Sequence, residues 1–127
     1  MFKLFLISLG GAIGTGARYL ITVGSVHFFG ATFPYGTWIV NLAGSFLMGF
    51  LMQFELASDF LPVTTRIFLA TGVLGGFTTY SSFNYEVIRY FQNGHYGKGM
   101  FYLFFMLLSC FAAGFIGLIL AKKLTGI

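Results

Sequence analysis

The sequence predicts an all-α membrane protein with four transmembrane helices in a single domain, residues 1–127. Hydrophobic residues make up 57% of the chain and charged residues only 8%, whereas a soluble domain carries about 25% charged residues. A chain with so few charges cannot cover its own surface in water, so we expect membrane lipid to surround it. The net charge of +4 does not indicate a nucleic-acid partner, because no basic cluster is longer than Lys122–Lys123.

The charged residues and one proline divide the chain into four spans. Residues 19–54 carry no charge, and Pro34 divides this long stretch because proline ends one helix and begins the next. Two further uncharged stretches are each close to about 20 residues long, which is the length that a helix needs to cross a bilayer. We therefore expect helix 1 near residues 4–28, helix 2 near residues 36–54, helix 3 near residues 63–91 and helix 4 near residues 98–120.

Helix 3 is predicted to be broken near its middle. Residues 72–83 hold three glycines and four hydroxyl residues. Glycine disfavours helix, and hydroxyl groups can bond the backbone groups that a break leaves free. Non-helical backbone at membrane depth is tolerated only where it contacts protein or a water-filled cavity. The break should therefore face a partner helix or a pore.

The charges flanking the spans favour neither orientation strongly. The side that holds both termini carries Lys3, Arg66, Lys122 and Lys123. The other side carries Arg89 and Lys98, and Arg18 can belong to either side. The positive-inside rule then fixes the orientation poorly. A chain that inserts both ways can pair as an antiparallel homodimer of dual topology.

Small residues recur four positions apart in all four predicted helices. Such spacing lets helix backbones approach closely. Both packing within the bundle and contact between subunits explain the pattern. The pairs are Gly10 and Gly14, Ser45 and Gly49, Gly72 and Gly76, and Ala113 and Gly117.

Arg18 and Asn41 are the polar residues that stand out in the first two helices. Arg18 follows fourteen uncharged residues, so it either extends to the membrane interface or attracts anions into an aqueous vestibule. The amide of Asn41 must find partners in hydrocarbon. It either bonds a neighbouring helix or donates into a pore, and Thr37 lies one turn away on the same face.

The second half of helix 3 combines hydroxyl groups, aromatic rings and one carboxylate. Tyr80 and Phe83 lie three residues apart, and the positive edge of an aromatic ring can receive an anion. Glu86 follows one turn later, either at a pore mouth or as a plain interfacial residue. Single hydroxyl residues usually bond their own helix backbone, but here four of them cluster: Thr78, Thr79, Ser81 and Ser82.

This set of side chains suits a small, strongly hydrated anion. A pore must replace the hydration shell with hydrogen-bond donors and still bind loosely enough to release the ion. Amides, hydroxyls and ring edges donate without a fixed charge that would trap the anion. These residues alone do not distinguish fluoride from other small anions.

The sequence resembles the Fluc/CrcB fluoride channels along nearly its whole length. Three segments carry the resemblance: GGAIG (residues 10–14) with Arg18–Tyr19, then Gly36–Thr37 with Val40–Asn41 and Gly44, and finally GVLGGFTTYSSF (residues 72–83) with Glu86. The third of these segments is very specific in a four-span chain of this length with Asn41 upstream.

The resemblance implies an antiparallel dual-topology homodimer with two fluoride pathways in a bacterial inner membrane. It implies passive export of cytoplasmic fluoride, which lowers fluoride toxicity. It also implies a structural sodium ion at the dimer centre, bound by the backbone carbonyls of Gly75 and Thr78. The positions that match the family's pore are Asn41, Phe83, Ser81 and Ser82, with Tyr102 as a further polar residue in helix 4.

The chain departs from the family pattern at the first aromatic ring. Tyr80 stands where the family usually has phenylalanine, and its hydroxyl adds a donor that can tighten anion binding or slow permeation. Ser82, where threonine is common, is a milder change.

The alternative function is a dual-topology exporter of multidrug or cationic substrates, which resembles this chain in length and span number. Such proteins carry a glutamate in helix 1, whereas helix 1 here carries Arg18 and no acid. A purely structural subunit would not cluster polar residues at membrane depth. An enzyme is not expected, because the sequence shows no nucleophile with a base and no metal-ligand cluster.

Overall fold

A computed structural model of the chain describes residues 1–57 and 61–126, with the side chains of residues 55–57 left out. Most of the described residues are helical, and none of them is in a strand. The helices are α1 (Phe2–Phe29), α2 (Tyr35–Ala57), α3 (Val63–Arg66), a π-helix (Ile67–Leu74), α4 (Gly75–Phe77), α5 (Tyr80–Gln92) and α6 (Tyr96–Thr125).

Three of these helices, α1, α2 and α6, are long and apolar enough to cross a membrane. They correspond to predicted helices 1, 2 and 4, and α6 is longer than predicted because its last turn includes both terminal lysines. The remaining helices together form predicted helix 3. The prediction of four helical spans therefore fits the fold.

The break in helix 3 is confirmed, and it lies at Thr78 and Thr79. Both residues are extended, with φ −84° and ψ 157° at Thr78 and φ −149° and ψ 120° at Thr79. We call these two residues the break. Threonine is β-branched and accepts extended backbone readily, whereas Gly75 and Gly76 remain in the short helix α4 before it. The hydroxyl residues, rather than the glycines, thus form the break itself.

Two glycines of helix 3, Gly72 and Gly76, pack closely against α1. A methyl group added at Gly10 would lie 3.0 Å from Cα of Gly72, and one added at Gly76 would lie 2.5 Å from the Gly11 carbonyl oxygen. A methyl group at Gly14 would overlap the Val73 carbonyl. The first pair of helices therefore packs backbone against backbone.

The second close pair is α2 with α6. A methyl group added at Gly49 would overlap the carbonyl of Gly114, and one at Gly117 would overlap the carbonyl of Phe46. Between these helices, Nε1 of Trp38 also donates to Oγ of Ser109 at 3.0 Å. The small-residue pattern is therefore used for packing within one chain.

The outer surface of the bundle is apolar. Large side chains such as Phe2, Leu108 and Phe111 are about two-thirds exposed, at 67%, 70% and 70%. So continuous an apolar surface on a small protein is unfavourable in water, whereas contact with lipid is favourable for it. The chain is a multi-pass membrane protein.

Candidate functional site

The break is capped on both sides by its own threonines. Thr78 donates from Oγ1 to the Leu74 carbonyl at 3.0 Å, and its backbone amide bonds the same carbonyl at 3.1 Å. Oγ1 of Thr79 accepts from the backbone amide of Ser82 at 3.2 Å, as an N-cap of α5. Each threonine side chain thus bonds one backbone group at its own side of the break.

Asn41 of α2 pairs with the backbone of the break. Its Oδ1 accepts from the Thr79 amide at 2.8 Å, and its Nδ2 donates to the Thr79 carbonyl at 3.0 Å. Nδ2 also lies 3.7 Å from Sδ of Met106. Of the two interpretations of Asn41, the structure displays the bond to a neighbouring helix, and its contact with an ion stays a prediction.

Arg18 of α1 bonds the same region from the other side. Its Nε donates to the Gly76 carbonyl at 3.0 Å, and Oγ1 of Thr15 lies 3.5 Å from that carbonyl. Arg18 is half-buried. A charged donor at membrane depth is thereby paired with a carbonyl that has left the regular helix ladder, and an additional vestibule role stays a prediction.

Two carbonyls near the break lose the donors that a continuous helix would give them. The Gly75 carbonyl would accept from the Thr79 amide, which instead bonds Asn41. The Thr78 carbonyl would accept from the Ser82 amide, which instead bonds Thr79 Oγ1. These are the two carbonyls that the resemblance assigns to sodium. Carbonyl oxygen suits a hard cation, so the residues present fit such an ion.

An aromatic cluster lies beside the break. Phe83 is buried, and its ring meets Tyr80 edge-on at 5.7 Å and Tyr102 at 5.3 Å between ring centroids. Phe33 and Tyr90 also contact Tyr102, at 5.3 Å and 6.1 Å. The predicted pair of rings, Tyr80 and Phe83, is therefore joined to Tyr102 of α6 in one cluster.

Tyr80 differs from the other rings of this cluster in its exposure. Its side chain is 71% exposed, and its hydroxyl makes no hydrogen bond with any residue that the structure describes. A phenol at membrane depth needs a polar partner. Tyr80 therefore presents a donor to whatever covers this side of the chain.

Glu86 is bound by two buried hydroxyl groups. Thr37 Oγ1 donates to one carboxylate oxygen at 2.8 Å, and the Tyr102 hydroxyl donates to the other at 2.8 Å. Thr37 is 4% exposed and Tyr102 is fully buried. The three side chains come from α2, α5 and α6, so only the fold brings them together.

Two recesses lie on either side of Tyr102. The first, which we call the groove, has a volume of about 730 Å³ and is lined in part by Asn41, Thr79, Tyr80 and Phe83. The second, which we call the cavity, has a volume of about 360 Å³ and is lined in part by Thr37, Glu86, Arg89 and His95. Tyr102 contacts Phe83 of the groove and Glu86 of the cavity.

The remaining predicted residues lie next to this arrangement rather than inside it. Ser81 is exposed, with Oγ 3.3 Å from Thr79 Oγ1, and Ser82 contributes its amide to the helix cap. Among the described residues, neither serine lines the groove or the cavity. The structure therefore does not bring Ser81 and Ser82 into contact with Asn41, and their pore role stays a prediction.

Sequence reasoning did not single out Phe33, Tyr90 and Met106. Phe33 and Tyr90 complete the cluster around Tyr102, and Met106 contacts the Asn41 amide. Aromatic residues make up 20% of this chain, so no ring is conspicuous by type alone. Only the tertiary structure, in which α5, α6 and the segment before α2 pack together, distinguishes these three residues from apolar residues that face lipid.

The whole chain is similar to known membrane proteins. Residues 5–118 match the family described as CrcB-like protein, Camphor Resistance (CrcB). A curated relative from Anaeromyxobacter dehalogenans, named fluoride-specific ion channel FluC, is 46% identical over 99% of this chain and 100% of its own length. Relatives of the same name are 44% identical in Sorangium cellulosum and 43% identical in Agrobacterium fabrum, each over 98% of this chain and at least 98% of their own. The chain therefore belongs to the CrcB family.

Proposed function

We propose that this protein is a fluoride-specific ion channel that lets cytoplasmic fluoride leave the cell passively. The observation that carries the proposal is the full-length similarity to relatives named fluoride-specific ion channels. Passive export down the electrochemical gradient would lower fluoride toxicity in a bacterial cell, and the site of action would be the inner membrane. The geometry beside the break supports an anion pathway in three respects.

First, donors without full charge cluster at membrane depth. The hydroxyls of Thr37 and Tyr102 both point to Glu86, and a fluoride ion accepts hydrogen bonds of the same kind as a carboxylate oxygen. Phe83 presents its ring beside them. An anion that reaches Tyr102 would exchange with Glu86 for these hydroxyl donors.

Second, the groove and the cavity each have a lining residue that contacts Tyr102, Phe83 in the groove and Glu86 in the cavity. An ion would cross from one to the other past Phe83, Tyr102 and Glu86. The narrow part of this path is filled by side chains in the present conformation, because Tyr102 is fully buried. Permeation would thus require Tyr102 or Glu86 to move or to exchange one bond for another.

Third, the groove is open along one side, and Tyr80 projects from it. A second copy in the opposite orientation would close the groove against lipid and cover the exposed Gly75 and Tyr80. We therefore include an antiparallel homodimer with two pathways in the proposal. The weak asymmetry of flanking charges supports such dual insertion.

The proposal also includes a structural sodium ion between the two copies. The carbonyls of Gly75 and Thr78 would hold it in each protomer, because both lack their usual helical donors. Bound there, the cation would neutralise carbonyl oxygens that lipid cannot satisfy. The ion would remain in place while fluoride passes elsewhere.

Reconstituted protein tests the transport claim. Liposomes loaded with potassium fluoride are prepared with purified protein, valinomycin is added, and external fluoride is followed with an electrode. We expect fast fluoride efflux that requires valinomycin, and no efflux from vesicles loaded with potassium chloride. Equal chloride efflux would leave an anion channel and contradict fluoride specificity.

The variant Phe83→Ile tests the assigned path. It removes the ring edge beside Tyr102, and we expect fluoride efflux to fall at least tenfold. Phe101→Ile is the matched control, because Phe101 is 59% exposed on α6 and stacks only on Phe105 among the described rings. Equal rates for both variants would place the path elsewhere.

A further inference from the structure

We propose that Arg18 and Asn41 are positioning residues that clamp the break of helix 3 from opposite flanking helices. In this role they fix the backbone of residues 76–79 in one conformation within each protomer, before any ion or second copy binds. The inference rests on the proposed function only for its transport readout. Its structural readout is independent of what the protein conducts.

The Asn41 side of the clamp is bidentate. One amide group accepts from and donates to the same residue, Thr79, at 2.8 Å and 3.0 Å. Two bonds in this arrangement fix both the position and the rotation of the peptide groups on either side of Thr79. They also prevent the Thr79 amide from returning to the Gly75 carbonyl, which is the bond that would continue the helix. Asn41 therefore keeps helix 3 open at this point.

The Arg18 side of the clamp holds the last turn before the break. The Gly76 carbonyl would accept from the Tyr80 amide in a continuous helix, and instead it accepts from Nε of Arg18 at 3.0 Å. Bonds to charged donors are stronger than neutral ones. The contact is possible because α1 and α4 approach backbone to backbone, with Gly76 packed on Gly11.

The two contacts act on one short segment. Only Thr78 and Thr79 are extended between α4 and α5, and the clamped groups lie on either side of Thr78. The short extended segment around Thr78 lies at membrane depth and cannot exchange its bonds for bonds to water. The bonds on its two sides therefore determine its conformation. This explains why a charged side chain and an amide are needed on two different helices that face the same break.

This role differs from a role in contacting the ion. A lysine at position 18 keeps the positive charge but has no Nε–H in the guanidinium geometry. A leucine at position 41 has nearly the shape of asparagine but cannot bond Thr79. Arg18→Lys therefore puts a methylene group where Nε bonds Gly76 and keeps the charge, and Asn41→Leu removes both bonds to Thr79 and keeps the bulk.

Hydrogen–deuterium exchange of the purified protein in lipid nanodiscs tests the inference. We expect the amides of residues 77–82 to exchange at least about fivefold faster in Arg18→Lys and in Asn41→Leu. Trp38→Phe is the matched control, because it removes a hydrogen bond between α2 and α6 away from the break, and we expect unchanged exchange at residues 77–82. Asn41→Ala provides a second variant if Asn41→Leu does not fold.

Unchanged exchange of residues 77–82 in both Arg18→Lys and the folded Asn41 variant would overturn the inference. So would acceleration in Trp38→Phe equal to that in the clamp variants, because the effect would then be general loosening of the bundle. Fluoride efflux separates this inference from the proposed function. If Arg18→Lys retains the full rate while Arg18→Gln loses it, Arg18 acts by charge and the clamp is wrong for that residue.

Faster exchange together with efflux reduced at least fivefold in Arg18→Lys supports the clamp. If the unmodified protein conducts no fluoride but the exchange pattern is as expected, the proposed function fails while the clamp stands.

Discussion

At the scale of the residue, Tyr102 occupies the central position of the candidate site. It is fully buried, its hydroxyl bonds Glu86, and its ring contacts Phe33, Phe83 and Tyr90. It lies between the groove, which Phe83 lines, and the cavity, which Glu86 lines. Tyr102 therefore contacts one lining residue of each recess.

Tyr102→Phe should therefore affect both stability and transport. The variant removes a bond to a carboxylate and leaves Glu86 with Thr37 as its donor. We expect destabilisation by about 1.5–3 kcal/mol and fluoride efflux slowed at least tenfold, measured by thermal unfolding in detergent and by liposome efflux. Tyr85→Phe is the control, because Tyr85 is 61% exposed and bonds only Arg89 among the described residues. Similar results for both tyrosines would contradict the central role of Tyr102.

Tyr80 carries the second prediction at this scale. Its exposed hydroxyl is a donor that a phenylalanine at this position would lack, and Tyr80 lines the groove. If it binds the anion, Tyr80→Phe weakens binding by about 1 kcal/mol and speeds release about fivefold. Liposome efflux at saturating fluoride measures this rate. An unchanged rate would show that the hydroxyl faces protein or lipid and not the ion.

At the scale of the element, the fold depends on two pairs of helices whose backbones touch. Glycines make this possible in both pairs, α1 with the π-helix and α4, and α2 with α6. In the first pair the close approach lets Arg18 Nε donate a hydrogen bond to the Gly76 carbonyl at 3.0 Å. A π-helix before the break, Ile67–Leu74, adds a wider turn where α1 packs.

Gly14→Ala tests the importance of this approach. The added methyl group would overlap the Val73 carbonyl, so α1 must shift away at a cost of about 1–3 kcal/mol. We expect a lower midpoint of thermal unfolding and a smaller folded fraction on size-exclusion chromatography. Gly16→Ala is the control in the same helix, because no atom lies within 4 Å of its added methyl group. Equal stability of the two variants would show that α1 adapts freely.

At the scale of the whole molecule, a single copy does not cover its own polar groups. The groove is open, Gly75 and Tyr80 are exposed, and the break lies at their side of the bundle. Lipid cannot satisfy backbone carbonyls, which supports our proposal that a second copy covers this side. The antiparallel pairing that we propose predicts that the two ends of the chain occur on both faces of the membrane.

Thiol labelling in sealed vesicles tests that pairing. Leu124→Cys, made in a Cys110→Ser background, places one thiol at an exposed position in the last turn of α6. We expect a membrane-impermeant reagent to label about half of the molecules, and all of them once the vesicles are opened with detergent. Labelling of every molecule or of none before detergent would contradict dual topology.

Much of the architecture was predictable from the sequence because lipid imposes simple rules. The lack of charge in residues 19–54 and 99–121, with Pro34 in the first stretch, was enough to place α1, α2 and α6 within a few residues of their bounds. The break was predictable because glycine disfavours helix and clustered hydroxyls can bond the backbone groups that a break leaves free. The π-helix was not predictable, because its residues are ordinary apolar ones.

The sequence by itself determined that the chain spans the membrane with four helical segments and that the third is broken. These properties depend on composition and local conformation, which lipid constrains residue by residue. The tertiary structure alone decided that Asn41 bonds Thr79, that Arg18 bonds Gly76, and that Thr37 and Tyr102 meet on Glu86. Such contacts depend on how helices distant in sequence are rotated and how closely they approach, and no local pattern encodes either quantity.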